Sequence, residues 1–164
     1  MAVAVDHFIP VGLGDVRFGR DDAVLMALGL GSCVGVALYD PVLRIGGMAH
    51  VVLPAPLDGV ATTSGKFATA AIPQLLDGVL RIGAERRRLV CKIAGGAQVL
   101  AMGARGDSFK IGERNIAAVN AALTAAGLRP LNADTGGTMG RSFRLTIATS
   151  AVAVKRLGED WRDM

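Results

Sequence analysis

Cys33 and His50 are the two residues of this sequence whose types and spacing are best suited to chemistry. Cys33 ends an uncharged, glycine-rich run over residues 28–33, and His50 follows 17 positions later. A thiol becomes a strong nucleophile only as its thiolate, and a neighbouring imidazole can accept that proton and later return it to a leaving amine. The pair therefore indicates acyl chemistry.

The sequence between the two residues predicts a hairpin that brings them together. Residues 34–40 are typical of a strand, and residues 45–53 are typical of a second one. Between them, Asp40 and Pro41 are typical of a turn.

The glycines around Cys33 predict a backbone that a flat amide can approach closely. We expect free backbone N–H groups between Gly31 and Cys33 to stabilise an oxyanion, with Gly31 and Ser32 as its supports.

Other cysteine, histidine and glycine patterns do not form a site. Cys91 lies in an apolar segment and is typical of a buried small hydrophobe, while His7 has no supporting motif. No Cys-x-x-Cys or His-x-x-x-His spacing indicates zinc. The glycine strings match neither a phosphate-binding loop nor a dinucleotide fingerprint. We therefore predict no metal and no cofactor.

Length and composition predict one domain over residues 1–164. The chain has 164 residues, of which 51% are apolar, and this is enough for one hydrophobic core. Its net charge is +4, but aromatic residues make up only 4%, which argues against nucleic-acid binding. The basic cluster Arg86–Arg88 is typical of a solvated loop. Residues 1–10 are open to two interpretations, a loose arm or a chain that includes a strand at residues 3–8, and we expect residues 158–164 to form a mobile tail.

The uncharged stretch over residues 23–39 does not predict a membrane span. A spanning helix needs about 20 predominantly apolar residues, whereas three glycines divide this stretch into two buried strands. The first residues lack the basic region and apolar stretch of a signal peptide. We expect a reduced, cytoplasmic protein that does not insert directly into a membrane.

Strand signals alternate with two helical segments. Apolar residues recur at helical spacing over residues 66–82, with Ser64 as the expected N-cap, and over residues 111–126, followed by Gly127 as a C-terminal cap. The loop over residues 54–64 is long enough to act as a flap. Further strands are predicted at residues 3–8, 11–18, 23–28, 89–94, 128–133, 143–148 and 152–155. This pattern predicts a layered α/β (α+β) sandwich with β-sheets in the core and the two helices outside.

Five motifs that occur in order along the chain resemble one known family. They are LGLGSCVGVALYDPVLRIGGMAHVVLP at 28–54, GKFA at 65–68, KIAGGA at 92–97, IGERN at 111–115, and DTGG with GR over 134–141. Each string alone is weakly diagnostic, but the ordered set is highly specific. It resembles the CheD family, bacterial chemotaxis proteins that deamidate chosen glutamines on chemoreceptors.

The resemblance implies a Cys-His-Thr catalytic set in which Cys33 is the nucleophile and His50 the acid and base. The family's threonine stands six positions before the cysteine, where this chain has Ala27. Alanine has no hydroxyl with which to orient an imidazole, so we expect reduced activity unless a backbone carbonyl or another hydroxyl takes its place. The candidate hydroxyls are those of Ser32, Thr146 and Thr149.

The resemblance also implies a function and partners. The implied activity is that of a protein-glutamine glutaminase, an amide hydrolase that converts specific glutamines of methyl-accepting chemotaxis receptors to glutamate without a cofactor. The implied partners are the receptor's cytoplasmic helices and a CheC-like phosphatase, and the implied fold resembles cysteine deamidases of the bacterial toxin type.

Two other functions stay open. One is a catalytically weak regulatory module that docks on receptors or on the phosphatase. The other is a small-molecule amidase or a transglutaminase-like acyl transferase. An open groove would favour a protein substrate, and a closed pocket would favour a metabolite.

Overall fold

Strands and two helices alternate in the computed structural model, which describes residues 7–99 and 110–164. The strands of this part of the chain are His7–Pro10 (β1), Val16–Arg20 (β2), Ala23–Leu30 (β3), Val34–Asp40 (β4), Ile45–Val51 (β5), Val90–Gly95 (β6), Pro130–Thr135 (β7), Arg141–Thr146 (β8), Ala151–Arg156 (β9) and Arg162–Asp163 (β10). The α-helices are Ala68–Arg81 (α1) and Ile111–Ala125 (α2). Within the described residues, no helix is long and apolar enough to cross a membrane.

The strands form two mixed sheets of five strands each. Sheet I has the order β2-β5-β4-β6-β7, and sheet II has the order β1-β3-β8-β9-β10. Both helices pack on sheet I, so this sheet is the middle layer between the helices and sheet II. The architecture confirms the predicted layered α+β sandwich with two helices outside.

Burial on both faces explains why β4 is apolar along its length. Val36 and Leu38 pack between sheet I and the helices, whereas Ala37 and Tyr39 pack between the two sheets. Successive residues of a strand point to opposite faces, so a strand of the middle layer needs apolar residues at every position. The predicted division of the uncharged stretch into two buried strands is confirmed by β3 and β4.

Helix α1 lies close to sheet I, and its start differs from the prediction. A Cβ atom at Gly78 would come within 2.0 Å of the Phe18 ring, so only glycine permits this approach. The predicted N-cap, Ser64, is wrong: Phe67 occupies the N-cap position without a side-chain cap, and the Ser64 carbonyl accepts the Phe67 N–H at 3.2 Å. At the end of α2, Gly127 has a φ of +73° after the C-cap residue, as predicted.

Two strands begin further along the chain than predicted, because local hydrogen bonds form turns in front of them. The strand predicted at residues 11–18 begins only at Val16, because the Asp15 carboxylate accepts the Gly12 N–H at 3.0 Å and closes a turn. The strand predicted at residues 128–133 begins at Pro130, because the Leu128 N–H donates to a carbonyl of the last turn of α2 at 2.8 Å.

The first and last described residues are held in sheet II, which corrects two expectations. His7–Pro10 pairs in parallel with β3, so the expected loose arm is wrong for these residues, and residues 1–6 lie outside the described part. Residues Arg162–Asp163 pair with β9, and the Trp161 ring centroid lies 4.2 Å from the Arg144 guanidinium carbon. Strand pairing and this cation–π contact therefore hold the expected mobile tail in place.

An ion cluster around Asp134 joins the two sheets near the end of β7. The Asp134 carboxylate pairs with Arg141, Arg156 and Arg162, which come from three strands of sheet II. Burial by itself would raise the pKa of Asp134, but the charge of Arg141 and hydrogen bonds from Arg162 and Arg141 outweigh it and lower the pKa. Asp134 therefore links β7, the edge strand of sheet I, to sheet II.

A second buried carboxylate, Asp40, fastens the hairpin of β4 and β5 to the turn after α1. It accepts hydrogen bonds from the Arg88 guanidinium and from three backbone N–H groups, including that of Glu85 at 2.9 Å. Burial by itself would raise the pKa of Asp40, but the Arg88 hydrogen bond and the N–H donors outweigh it and lower the pKa to about 2. The cluster Arg86–Arg88 thus forms a 3-10 turn in which Arg88 has a structural partner.

Asp40→Asn is expected to lower the free energy of unfolding at pH 7 by about 2 kcal/mol, because about 1.4 kcal/mol accompanies each unit of pKa shift. The pKa is depressed in the folded state, so the contribution is present above the unfolded pKa of about 3.9 and is lost as the pH falls towards 2. Urea unfolding from pH 7 to pH 2 measures this, with Asp77→Asn on the exposed face of α1 as control. A difference between wild type and Asp40→Asn that stays constant with pH would contradict the assignment.

Candidate active site

The register of the β4–β5 hairpin places Cys33 and His50 on the same face of sheet I. Gly35 lies opposite His50, and Val34 lies opposite Val51. Cys33 precedes Val34 and packs against the core between the two sheets. In an antiparallel pair, directly opposed residues lie on the same face of the sheet, and so do residues two positions apart on one strand. Cys33 lies two positions before Gly35, so it is a diagonal neighbour of His50, at a separation that a long side chain can span. The hairpin thus brings the two candidate residues together.

Glycine at position 35 provides the space on this face. A Cβ atom there would come within 2.7 Å of the Phe143 ring and 3.1 Å of Leu30, both from sheet II. The residue opposite His50 therefore has no side chain, and this lets sheet II pack closely beside the imidazole.

A backbone carbonyl orients the His50 ring. His50 is 3% exposed, and its Nδ1 atom lies 3.0 Å from the Val11 carbonyl oxygen. A carbonyl can only accept a hydrogen bond, so Nδ1 carries the proton and Nε2 has a free lone pair. Nε2 is buried and has no hydrogen-bond partner among the described residues. The imidazole is therefore set up as a base at Nε2.

Ala27, which the resemblance aligns with the family threonine, lies on the strand that pairs with the segment carrying this carbonyl. Ala27 is fully buried between the two sheets, and the Val11 N–H donates to the carbonyl of the preceding residue, Met26, at 2.9 Å. Of the alternatives considered from the sequence, a backbone carbonyl is the one that contacts His50. The Thr149 hydroxyl instead donates to the Thr146 carbonyl.

Hydrogen bonds to the carbonyl groups of residues 31–33, here called the Cys33 segment, hold this part of the chain in place, and they leave its N–H groups free. The Gly31 and Cys33 carbonyls each accept a backbone N–H from the segment after β6 at 2.8 Å, and the Ser32 carbonyl accepts from the Asn115 side chain at 2.9 Å. The Ser32 and Cys33 N–H groups have no acceptor among the described residues. The segment therefore has two adjacent N–H groups without an acceptor among the described residues, and such donors can stabilise an oxyanion.

Gly95, in the KIAGGA motif, permits this packing. Its φ is +112°, and a Cβ atom at this position would come within 2.2 Å of the Cys33 carbonyl oxygen. Any side chain would displace the segment that carries Cys33, so the glycine supports the site without taking part in chemistry.

Burial shifts the pKa values of the two candidate residues apart. Burial raises the pKa of the half-buried Cys33 thiol. Burial also lowers the pKa of His50, and this outweighs the opposite effects of the Val11 hydrogen bond and of the Asp15 charge. Both shifts favour uncharged forms, so a neutral thiol beside a neutral imidazole is the resting state at neutral pH.

The remaining cysteine and histidine lie elsewhere. Cys91 is buried in the core between sheet I and the helices, and burial raises its pKa to about 12. His7 is exposed on β1. Within the described residues, no group of three or more His, Cys, Asp or Glu side chains is arranged to hold a metal ion.

Two surface grooves include residues near the Cys33 segment. One, of about 610 Å³, is lined by the loop predicted as a flap together with Phe67, Ile111 and Arg114. Leu57 of this loop is 100% exposed. The other, of about 810 Å³, extends from Gly29 along the ends of β8 and β9. Both grooves can accept an extended part of a large substrate.

Two contributors to the site were missed in the sequence because neither has a recognisable chemical signature. Val11 acts through its carbonyl, which any residue possesses. Asn115 belongs to the IGERN motif, which indicates the family but predicts no role for this side chain. With these residues placed, the molecule falls in the class of three-layer α+β proteins with a cysteine and a buried histidine on one face of the middle sheet.

Comparison with known proteins identifies the family. The profile described as CheD chemotactic sensory transduction matches residues 52–156. "Probable chemoreceptor glutamine deamidase CheD 2" of Geobacter metallireducens is 43% identical over 155 residues, which cover 93% of this chain and 96% of that protein. "Probable chemoreceptor glutamine deamidase CheD" of Symbiobacterium thermophilum is 44% identical over 151 residues, which cover 90% and 92%. The chain belongs to the CheD family.

Similarity also extends to a third relative and to a solved structure. The protein of Archaeoglobus fulgidus with the same name is 42% identical over 155 residues, which cover 93% of this chain and 97% of that protein. The crystal structure of Bacillus licheniformis hypothetical protein YfiH is 17% identical with a TM-score of 0.44 and covers 76% of this chain and 51% of that chain.

The alkylation rate of Cys33 by iodoacetamide is expected to rise with pH and to have its midpoint above about 8.5, the ordinary pKa of a cysteine thiol. The reason is that burial raises the pKa of Cys33 and that, among the described residues, no cation stabilises the thiolate. Peptide mass spectrometry at successive pH values measures the rate, and the buried Cys91 provides an internal control. A rate that is already maximal at pH 6 would show a preformed thiolate–imidazolium pair and would contradict the neutral resting state.

Proposed function

We propose that this chain hydrolyses the side-chain amide of selected glutamines on methyl-accepting chemotaxis receptors, giving glutamate and ammonia. The observation that supports the proposal is the pairing of β4 with β5, whose register makes Cys33 and His50 diagonal neighbours on one face of sheet I. The printed names of its relatives support the same reaction on chemoreceptors.

In the first half of the proposed reaction, Cys33 becomes acylated. His50 Nε2 accepts the thiol proton as the sulfur attacks the amide carbon of glutamine. The carbonyl oxygen becomes an oxyanion, which the Ser32 and Cys33 N–H groups stabilise. When the C–N bond breaks, the imidazolium gives its proton to the departing nitrogen, which leaves as ammonia. A thioester between Cys33 and the receptor side chain remains.

In the second half, water hydrolyses that thioester. Neutral His50 accepts a proton from water as its oxygen attacks the thioester carbon, and the same two N–H groups stabilise the second oxyanion. The C–S bond then breaks, the thiol regains a proton, and glutamate is released. The proposed cycle uses this chain's residues and water alone.

The Val11 carbonyl supports the orientation of His50 that this cycle needs. In the proposed site it holds Nδ1–H through both halves, which is the role of the third group in such catalytic sets. Because this acceptor is already in place, we expect the absence of the family's threonine hydroxyl at Ala27 to reduce activity only in part. Ala27→Thr would add atoms to a fully buried position whose neighbouring histidine already has an acceptor.

The proposed substrate is a protein in the cytoplasm, namely the cytoplasmic helices of a chemoreceptor. The grooves at Gly29 and at the loop over residues 54–64, one of them rimmed by the fully exposed Leu57, are open, and open grooves suit a large substrate better than a small metabolite. Cys33 and His50 line neither groove. The product adds a negative charge to a receptor helix, where it alters interactions with neighbouring helices. A CheC-like phosphatase is a proposed partner of the same protein.

Wild-type protein incubated with a chemoreceptor cytoplasmic fragment is expected to convert specific glutamines to glutamate, whereas Cys33→Ala is expected to lose at least about 10⁴-fold in rate because no other group supplies the nucleophile. His50→Gln is expected to lose a factor of about 10² to 10⁴, the usual contribution of a general acid–base residue. Peptide mass spectrometry of the fragment scores the conversion, and Cys91→Ala serves as the matched control that leaves the rate unchanged.

Three other outcomes would each favour a different function. Conversion by Cys33→Ala at the wild-type rate would rule out the thioester. Activity only in Ala27→Thr would indicate a regulatory binding module with a disabled site. Absence of conversion in every variant, with hydrolysis of free glutamine by the wild type, would indicate a small-molecule amidase.

A further inference from the structure

The side chain of Asn115 joins the segments that carry Cys33 and His50, and it does so from the helix side of sheet I. Its Nδ2 atom donates to the Ser32 carbonyl and to the Val52 carbonyl, each at 2.9 Å. Asn115 is 0% exposed. Two carbonyl acceptors require the amide nitrogen to face them, so the orientation of the side chain follows from its partners.

These two carbonyls need a side-chain donor because the strand pairing ends beside them. The β4–β5 ladder stops at Val34 and Val51. Beyond it the chains separate, since the Val52 and Leu53 N–H groups both donate to the Lys66 carbonyl, at 2.8 and 3.0 Å. Asn115 has two amide hydrogens, one for each carbonyl, and thereby closes the end of the hairpin.

The hydrogen bond to Ser32 determines where the Cys33 N–H points. In a trans peptide the carbonyl and the following N–H point in opposite directions within one plane. The Ser32 carbonyl is directed towards α2, so the Cys33 N–H is directed away from α2. That direction is the face of sheet I on which Cys33 and His50 lie.

We propose that Asn115 is a positioning residue for deamidation: it aims the Cys33 N–H at the oxyanion and ties this donor to the His50 strand through Val52. The inference rests on the proposed function, because it assigns a role within that reaction. Asn115 lies behind the sheet and acts on the reaction only through the peptide that it holds. Its buried Oδ1 has no partner among the described residues, so the side chain is held by its two donor contacts.

Asn115→Leu tests the proposal, because leucine has a similar size and no donor. We expect kcat for a chemoreceptor cytoplasmic fragment to fall by about 10- to 100-fold, since a misdirected oxyanion donor weakens transition-state stabilisation. KM is expected to stay within about threefold of the wild-type value. The alkylation rate of Cys33 by iodoacetamide is also expected to stay within about threefold, because alkylation forms no oxyanion.

Val119→Ala is the matched control. Val119 lies one turn further along α2, is fully buried, and makes no hydrogen bond to the Cys33 segment. It is expected to lose thermal stability while keeping kcat. A parallel loss of stability, kcat and Cys33 alkylation in both variants would show a purely structural role for Asn115 and would overturn the proposal.

Two further results would also overturn it. Wild-type kcat in Asn115→Leu would do so directly while leaving the deamidase function intact. No conversion by the wild type would overturn the proposed function and this role together. If Asn115→Leu does not fold, Asn115→Asp, which keeps the shape and replaces the donor by oxygen, takes its place with the same expected loss of kcat, and full activity there would contradict the proposal.

Discussion

The antiparallel pairing of β4 with β5 is the constraint on which the rest of the site depends. Side chains alternate between the faces of a strand, so a slip of one residue would turn His50 from the sheet II side to the helix side. Packing prevents such a slip because the two faces of β4 have different neighbours. On one face, sheet II lies too close for a side chain at Gly35. On the other face, the helices pack against the apolar side chains of Val36 and Leu38. The core that makes β4 and β5 apolar therefore also keeps Cys33 and His50 on the same face of sheet I.

Main-chain groups provide most of the proposed catalytic environment. The Val11 carbonyl orients His50, the Ser32 and Cys33 N–H groups are the oxyanion donors, and backbone hydrogen bonds hold the Cys33 segment. In the proposed site, the Val11 carbonyl takes the role that the resemblance gives to the hydroxyl absent at Ala27, and Val11 is itself held by its backbone hydrogen bond to Met26. The side chains on which the proposed site depends are those of Cys33, His50 and Asn115.

Much of this organisation could be predicted from sequence, because hydrophobic periodicity and turn residues report directly on strands and helices. The hairpin, the two helices, the burial of Cys91 and the Gly127 cap were predicted in this way. The docked C-terminal strand was not, because its two residues are charged and are held by long-range pairing and the Arg162–Asp134 contact. The role of the Val11 carbonyl has no sequence signal, since every residue has a carbonyl. The position of Asn115 behind Cys33 depends on how α2 packs, which local sequence does not specify.

Intact-mass spectrometry of an acid-quenched reaction would test the central claim most directly. Wild-type protein mixed with a chemoreceptor cytoplasmic fragment should give a transient species with the mass of both chains less one ammonia, and digestion should place the link at Cys33. His50→Gln should form this species more slowly, and Cys33→Ala should not form it. Conversion of glutamine to glutamate at full rate with the link on another residue, or with no link in any quenched sample, would contradict the account.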